Sequence, residues 1–329
     1  MGEDEEEGLT YAEAGVDIAA SEAATAALLD AASRDQDNTY AGVLEIDDLH
    51  LGLTTDGVGT KILVAEAVGR YDSIGIDCIA MNVNDLVAEG IRPVGFVDYL
   101  ALEEPDETLT AEIGRGLATG AEMADVSLMG GETAILPEVI TGVDLAGAAL
   151  GVGTPTSRPR GSAVEGDVMV GFASSGIHSN GLTLARRAIE REHDYDDPYP
   201  EDPSRTIGEV LLEPTRLYTD LYEVFERFDV HAGAHITGGG LRNLFRMGTF
   251  HYVLDDQPPV PSVFDLVQRY GDVSDEEMYG TFNMGLGFVL AVDPEVADEV
   301  VAETEGMVIG RVESGAMVEV AGLELEPSS

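Results

Sequence analysis

The segment Thr55-Asp-Gly-Val-Gly-Thr-Lys61 joins a carboxylate, two glycines and the only lysine of the chain. Gly57 and Gly59, with Thr60 beside them, let backbone N–H groups approach a phosphate. Asp56 is a candidate ligand for Mg²⁺, and Lys61 a candidate cation for a transferring phosphoryl group. The spacing is not that of a Walker A loop, which needs four residues between its glycine and Gly-Lys-Ser/Thr. The bland alternative is a glycine turn with a surface lysine. Every basic residue among the 17 except Lys61 is arginine, so a retained lysine argues that its compact charge is required. Replacing Lys61 by alanine is therefore expected to lower turnover sharply and leave the fold intact.

A second segment, 73–89, reads as a helix with two faces. Ile76, Ile79, Ala80, Val83, Leu86 and Val87 share one side, and Asp77, Met81, Asn84, Asp85 and Ala88 share another. Two carboxylates and an amide with no basic partner suit a Mg²⁺-nucleotide site better than an ion-pair network. Cys78 lies off that face and reads as a small core residue. Gly130-Gly-Glu-Thr133 follows a short strand and puts Glu132 on a glycine turn, either a further metal-side carboxylate or a purely structural bend.

Ser174-Ser-Gly-Ile-His-Ser-Asn-Gly181 has the order strand, polar glycine loop, helix. Ser175, Asn180 and the helix N-terminus form a candidate anion site, with His178 as a donor unless it is structural. Gly-x-Ser-x-Gly is absent, and nothing here resembles a serine-hydrolase triad. His235-Ile-Thr-Gly-Gly-Gly240 repeats the arrangement with Thr237, Gly238, Gly239 and Gly240, and puts Arg242 in the following helical turn. Two anion loops and a carboxylate cluster point to phosphorylated ligands.

These groups need elements to position them. A helix is expected over 21–32 with Ser21 as its cap, and the alternation of Leu49, Leu51 and Leu53 gives a strand that delivers the chain to Asp56. Strands are expected at 94–100, 126–129 and 145–152, with a helix at 110–124. Thr154-Pro-Thr-Ser-Arg-Pro-Arg160 has two prolines and no apolar residue and reads as a domain boundary. Beyond it come strands at 168–173, 231–236, 252–254, 284–292, 307–312 and 317–320. Helices are expected up to 190 and over 294–303, and 194–203 reads as an acidic loop. The expected organisation is an acidic tail at 1–10, an α/β domain at 11–153 and a second α/β domain at 161–329.

The 329 residues carry 63 acidic and 17 basic side chains, a net charge of −46, yet 44% are hydrophobic. A disordered acidic chain would need low hydrophobicity as well. Carboxylate excess with almost no lysine fits solubility in concentrated salt, where at about 1 M the Debye length is about 3 Å. The same field repels nucleic acid and anionic membranes, so neither is an expected partner. One cysteine excludes an internal disulfide. No stretch approaches the roughly 20 apolar residues of a membrane span, and the acidic start is unlike a signal peptide, so the expected location is cytoplasmic.

Taken in order, Tyr11-Ala-Glu-Ala-Gly-Val-Asp-Ile18, Thr55-Asp-Gly-Val-Gly-Thr-Lys61, Gly75-Ile-Asp-Cys-Ile-Ala-Met-Asn-Val-Asn-Asp-Leu86 and Gly130-Gly-Glu-Thr133 resemble the phosphoribosylformylglycinamidine cyclo-ligase (AIR synthetase) family. Ser174 to Gly181, Leu212-Glu-Pro-Thr-Arg-Leu-Tyr218, His231 to Gly240 and Glu277 to Gly287 look like its later motifs. The resemblance runs from about residue 11 to 320, and single motifs are shared with FGAM synthetase, selenophosphate synthetase and thiamine-phosphate kinase. Asn38-Thr-Tyr-Ala-Gly-Val-Leu44 departs from the family's common Gly-Gly-Phe-Gly.

The resemblance implies an α/β fold of α+β type, with dimer-forming strands in the N-terminal domain and a C-terminal α-β sandwich. It implies a homodimer that uses ATP and Mg²⁺ to convert formylglycinamidine ribonucleotide (FGAM) to aminoimidazole ribonucleotide (AIR). Asp56 and Asp85 would then hold Mg²⁺, assisted by Asp77, Asn84 or Glu132. Lys61 would meet the phosphoryl group, and His178 and His235 would donate to phosphates. The alternatives are an amidine-forming ligase or small-molecule kinase on the same fold, or a subunit that binds nucleotide without catalysis.

Overall fold

The computed structural model describes residues 8–12, 14–15, 18–32, 39–157, 159 and 161–327. The acidic run Glu3 to Glu7 lies outside the described residues. The first half contains α1 (Ile18–Ala31), β1 (Gly42–Ile46), β2 (Leu49–Gly57), α2 (Lys61–Val68), α3 (Ile74–Ala88), β3 (Arg92–Leu102), α4 (Glu107–Ala124), β4 (Ser127–Ile135) and β5 (Val143–Gly153). Its strands form one sheet in the order β1-β2-β5-β3-β4.

Helix α3 lies against the covered face of this sheet and is buried along almost its whole length. Burying Ile79, Val83 and Leu86 contributes about 1.5–3 kcal/mol each, which fixes the helix although its polar face carries Asp77, Asn84 and Asp85. Helix α4 packs behind it at backbone distance. A Cβ added at Gly75 would lie 2.2 Å from the Leu117 nitrogen, so only glycine fits there. Asp106 caps α4, accepting from the N–H groups of Thr108 and Leu109 at 2.8 and 3.0 Å.

The second half contains β6 (Val168–Ala173), α5 (Leu182–Ile189), β7 (Pro198–Tyr199), β8 (Asp202–Thr206), α6 (Ile207–Leu211), α7 (Tyr222–Arg227), β9 (Val230–His235), β10 (His251–Leu254), α8 (Val263–Gly271), α9 (Asp275–Thr281), β11 (Leu286–Val292), α10 (Ala297–Glu303), β12 (Met307–Glu313), β13 (Met317–Val320) and β14 (Leu323–Leu325). Seven strands form a mixed sheet in the order β14-β13-β10-β12-β6-β11-β9. One hydrophobic core is centred on this sheet and takes in Tyr40, Val87 and Ala88 of the first half. The other crosses between the halves, joining Ile62 and Ile79 to Leu184 and Phe264.

Three expectations change. Helix α1 begins at Ile18, so Ser21 lies inside it and is not its cap. Strand β4 continues to Ile135, so Gly130-Gly-Glu-Thr133 is strand and not turn; it pairs in parallel with β3 through a register shift at Phe96/Val97. Part of the expected acidic loop at 194–203 forms the β7–β8 hairpin.

Candidate active site

Helix α3 is the spine of the site, and its first turn carries Asp77. Lys61 begins α2, and its ammonium lies 2.9 and 2.8 Å from the two Asp77 carboxylate oxygens and 2.6 Å from the Glu213 carbonyl. Both side chains are 0% exposed. Asp77 also accepts from the Thr215 N–H and hydroxyl at 2.7 and 2.6 Å. The single lysine is therefore enclosed. It joins α2 and α3 to the Glu213–Thr215 segment of the second half, with Asp77 as its ion-pair partner.

Two turns further along α3, the Asp85 carboxylate lies 2.8 Å from Nδ1 of His235, the last residue of β9. The Asn84 amide oxygen accepts the Tyr218 N–H at 2.9 Å, and its amide nitrogen donates to the Arg216 carbonyl at 2.9 Å. That nitrogen also faces His235 Nε2 at 3.4 Å. Because Asn84 is oriented by these partners, Nε2 is the accepting nitrogen and Nδ1–H donates to Asp85. His235 is fully buried and orients a carboxylate; Asn84 is consumed in the same network.

Asp56 stands near the end of β2 on the covered face of the sheet, with its own Oδ1 accepting the Gly57 N–H at 2.7 Å. Asn82 of α3 donates to the Asp56 carbonyl at 3.2 Å and holds that strand end against the helix. Burial pushes the Asp56 carboxyl up to about 6, and the Asp85 charge adds to the rise; the Gly57 N–H, His235 and Arg246 oppose it. Asp98, on β3 across Gly147 of β5, is also raised by burial. Among the described residues, no group of three or more His, Cys, Asp or Glu side chains is arranged to hold a metal ion. Glu132 does not complete one: it is exposed on β4 in register with Tyr99, on the open face of the sheet.

The two glycine loops meet beside α3. Asn180 contacts the Met81 sulfur at 3.6 Å, and a Cβ at Gly238 would lie 3.5 Å from the Asn180 oxygen. Asn243 stitches the second loop, donating to the Gly238 and Gly240 carbonyls and standing 3.3 Å from the Thr237 hydroxyl. Gly239 and Gly240 have φ of +97° and +55°, which a side chain would strain. Ser175 is exposed and donates to the Pro214 carbonyl at 2.6 Å. Gly59 is in open space at φ +67°, and the hydroxyls of Thr60 and Thr183 meet at 3.0 Å across the two halves.

His178 shapes the first of these loops. It is buried at φ +67°, and its Nε2 accepts the Ser175 N–H at 3.1 Å. Burial holds this imidazole well below its ordinary value, helped by His235, Lys61 and Arg216, so it is a neutral pin of the loop whose Nδ1 has no hydrogen-bond partner among the described residues. Asn283 completes that loop, accepting from the Ser174 hydroxyl and donating to the Gly176 carbonyl. Sequence reasoning missed Asn283, Asp98, Tyr40 and Arg246. Of these only Asp98, a carboxylate alternating with Val97 and Tyr99 in a strand pattern, carried a local signal.

An α/β pair of sheets with carboxylates on one helix and two glycine loops at its flank defines the class. Residues 38–153 match the family described as AIR synthase related protein, N-terminal domain, and residues 164–322 match AIR synthase related protein, C-terminal domain. The solved structure titled AaThiL complexed with AMPPCP and TMP superposes with a TM-score of 0.68 at 18% identity, covering 93% of this chain and 94% of the other. The chain is 46% identical to a phosphoribosylformylglycinamidine cyclo-ligase of Methanosarcina acetivorans over 325 residues, covering 95% of this chain and 98% of that one. A cyclo-ligase of Thermococcus gammatolerans is 46% identical over 299 residues, 87% and 86% of the two chains. The chain belongs to the AIR synthase related family, and within it to the phosphoribosylformylglycinamidine cyclo-ligases.

Proposed function

We propose that the protein catalyses ATP-dependent closure of FGAM to AIR, with ADP and phosphate as the other products, a step in purine biosynthesis. The observation that carries this reading is the Asp56 and Asp85 pair, buttressed by His235 and Asn84 beside two glycine loops, in a chain this similar to cyclo-ligases. The AMPPCP complex of AaThiL supports a nucleotide triphosphate as co-substrate. Two neighbouring carboxylates fit Mg²⁺, which takes one or two carboxylates and completes its shell with water and phosphate oxygens. Asp56 and Asp85 would hold it, and it would supply positive charge to the phosphates.

The remaining work falls to the chain. N–H groups of Gly59, Gly238 and Gly239, with Thr60 and Asn180, would direct donors at phosphate oxygens, while the N–H groups of Gly57 and Gly240 and the hydroxyls of Ser175 and Thr237 hold the loops in shape. His235 keeps Asp85 oriented. The formyl oxygen of FGAM bonds to the γ-phosphorus as the bond to the bridging oxygen of ADP breaks, and that electron pair leaves with ADP. An amidine-side nitrogen then attacks the activated carbon, the C–O bond breaks, phosphate departs, and the nitrogen loses a proton as the ring closes. Phosphorylation makes a poor leaving oxygen a good one, so the protein supplies positioning and charge neutralisation.

A homodimer through the open face of the first sheet belongs to the same reading. Leu53 and Tyr99 are 59% and 46% exposed there, with Leu44 and Val97 on the same side. Contiguous apolar surface of this kind marks an interface. Among the described residues no helix is long and apolar enough to cross a membrane. With Lys61 buried, no lysine remains on the surface, in keeping with a salt-rich cytoplasm.

The test is the pure protein with ATP and FGAM, no ammonia source, at several KCl concentrations. ADP and a diazotisable aminoimidazole should form in equal amounts. ATP consumption that requires ammonia, or none at all, rejects the reading.

A further inference from the structure

In this acidic chain, arginines are taken up by carboxylates: Arg70 by Asp72 and Glu209, Arg205 by Glu213, Arg311 by Asp255 and Glu313. Arg191 is held by the carbonyls of Tyr270 and Gly271. Arg246 has neither kind of partner: it makes no ion pair and no hydrogen bond with a described residue. It stacks on the Tyr40 ring, over which the guanidinium carbon sits 4.4 Å from the centroid. Tyr40 is itself buried and pinned, its hydroxyl donating to the His235 carbonyl at 3.0 Å and its N–H to Glu89 at 2.9 Å.

The setting gives this free cation a direction. Arg246 is exposed on the 3₁₀ helix Gly240–Met247, which starts on the triple-glycine loop, and its shelf Tyr40 belongs to the first half and touches the backbone of the residue that orients Asp85. It lies within electrostatic reach of Asp56. Stacking on an aromatic face fixes the guanidinium plane and leaves its N–H edge for a planar or tetrahedral oxyanion. Lys61, the cation that the motif suggests, is enclosed by Asp77 and Glu213.

We infer that Arg246, carried on Tyr40, is the catalytic cation that engages the terminal phosphoryl group of the nucleotide triphosphate. The inference rests on the ATP-dependent reading of this site and assigns within it the role that Lys61 cannot take. As the bond from the substrate oxygen to the γ-phosphorus forms and the bond to ADP breaks, negative charge stays on the three equatorial oxygens, and the guanidinium edge is the donor aimed at them.

The test compares wild type, Arg246→Ala and Arg246→Lys in the full-length protein. Binding of AMPPCP and of ADP, each with Mg²⁺, is measured calorimetrically, alongside kcat and KM for FGAM and ATP. Arg246→Ala should lose at least about 10-fold in AMPPCP affinity with ADP affinity unchanged, and about 100-fold or more in kcat. Arg246→Lys should recover only part of either, and added guanidinium should raise the turnover of the alanine variant. Tyr40→Leu, which removes the aromatic shelf, should shift toward the alanine variant. Equal losses for AMPPCP and ADP, a change confined to KM for FGAM, or an alanine variant as active as wild type would each overturn the assignment. A wild-type protein that neither binds AMPPCP nor forms product overturns the functional reading itself.

Discussion

Replacing Lys61 by methionine keeps the length of the side chain and removes its charge, and the structure sets the consequence. One Asp77 oxygen would keep the two Thr215 donors, but the other has no hydrogen-bond partner and only the ammonium at 2.8 Å beside it. The Glu213 carbonyl would lose its 2.6 Å donor as well. Removing one member of a fully buried ion pair leaves an uncompensated charge and costs about 3–5 kcal/mol. This reverses the expectation that a Lys61 variant keeps an intact fold. Because the pair ties α2 and α3 to the second half, the loss should appear in the unfolding of the whole chain. Urea denaturation followed by tyrosine fluorescence reads it directly, since the chain has 11 tyrosines and no tryptophan. Asp77→Asn should be destabilised comparably, and Lys61→Met/Asp77→Asn should recover about 2–3 kcal/mol relative to the sum of the singles. A Lys61→Met protein within about 1 kcal/mol of wild type, or strictly additive singles, refutes the reasoning.

Asp56→Asn should stabilise the metal-free protein by about 3 kcal/mol at pH 7.5, because its carboxyl is raised from 3.8 to about 6 on folding. That cost is fully present above pH 6 and fades as pH falls toward 3.8, so thermal unfolding of variant and wild type should converge near pH 4; a gain that persists on acidification contradicts it. Asp85→Asn should raise the Mg²⁺ concentration for half-maximal turnover by 10-fold or more, and an unchanged Mg²⁺ dependence would reject Asp85 as a ligand. Leu53→Glu should convert a dimer to monomer by sedimentation velocity, since it puts a charge in the centre of the open sheet face; identical sedimentation would count against that interface.

Local pattern located α3 to within one residue at each end, because its period and its polar face are both short-range properties. It failed at β4, where the strand continues past Met129 only because β3 pairs with it residue by residue to Ile135. It also failed to find β1, whose partner is the neighbouring β2 and whose outward side chains stay exposed instead of alternating with a core.

The sequence by itself determined the family, through the order of its motifs, and with it the fold class, and it nominated the carboxylates Asp56 and Asp85. Residue type and local spacing carry that information, since a glycine loop or a helix face is built from neighbours. Tertiary structure alone decided the direction each charge faces. Lys61 is buried because Glu213, 152 residues away, supplies its third contact. Glu132 faces outward because of its register with Tyr99. Arg246 stacks on Tyr40, which comes from the other half of the chain. Composition made the one lysine conspicuous, but only packing shows that it closes an interior contact between the halves while an arginine faces the site.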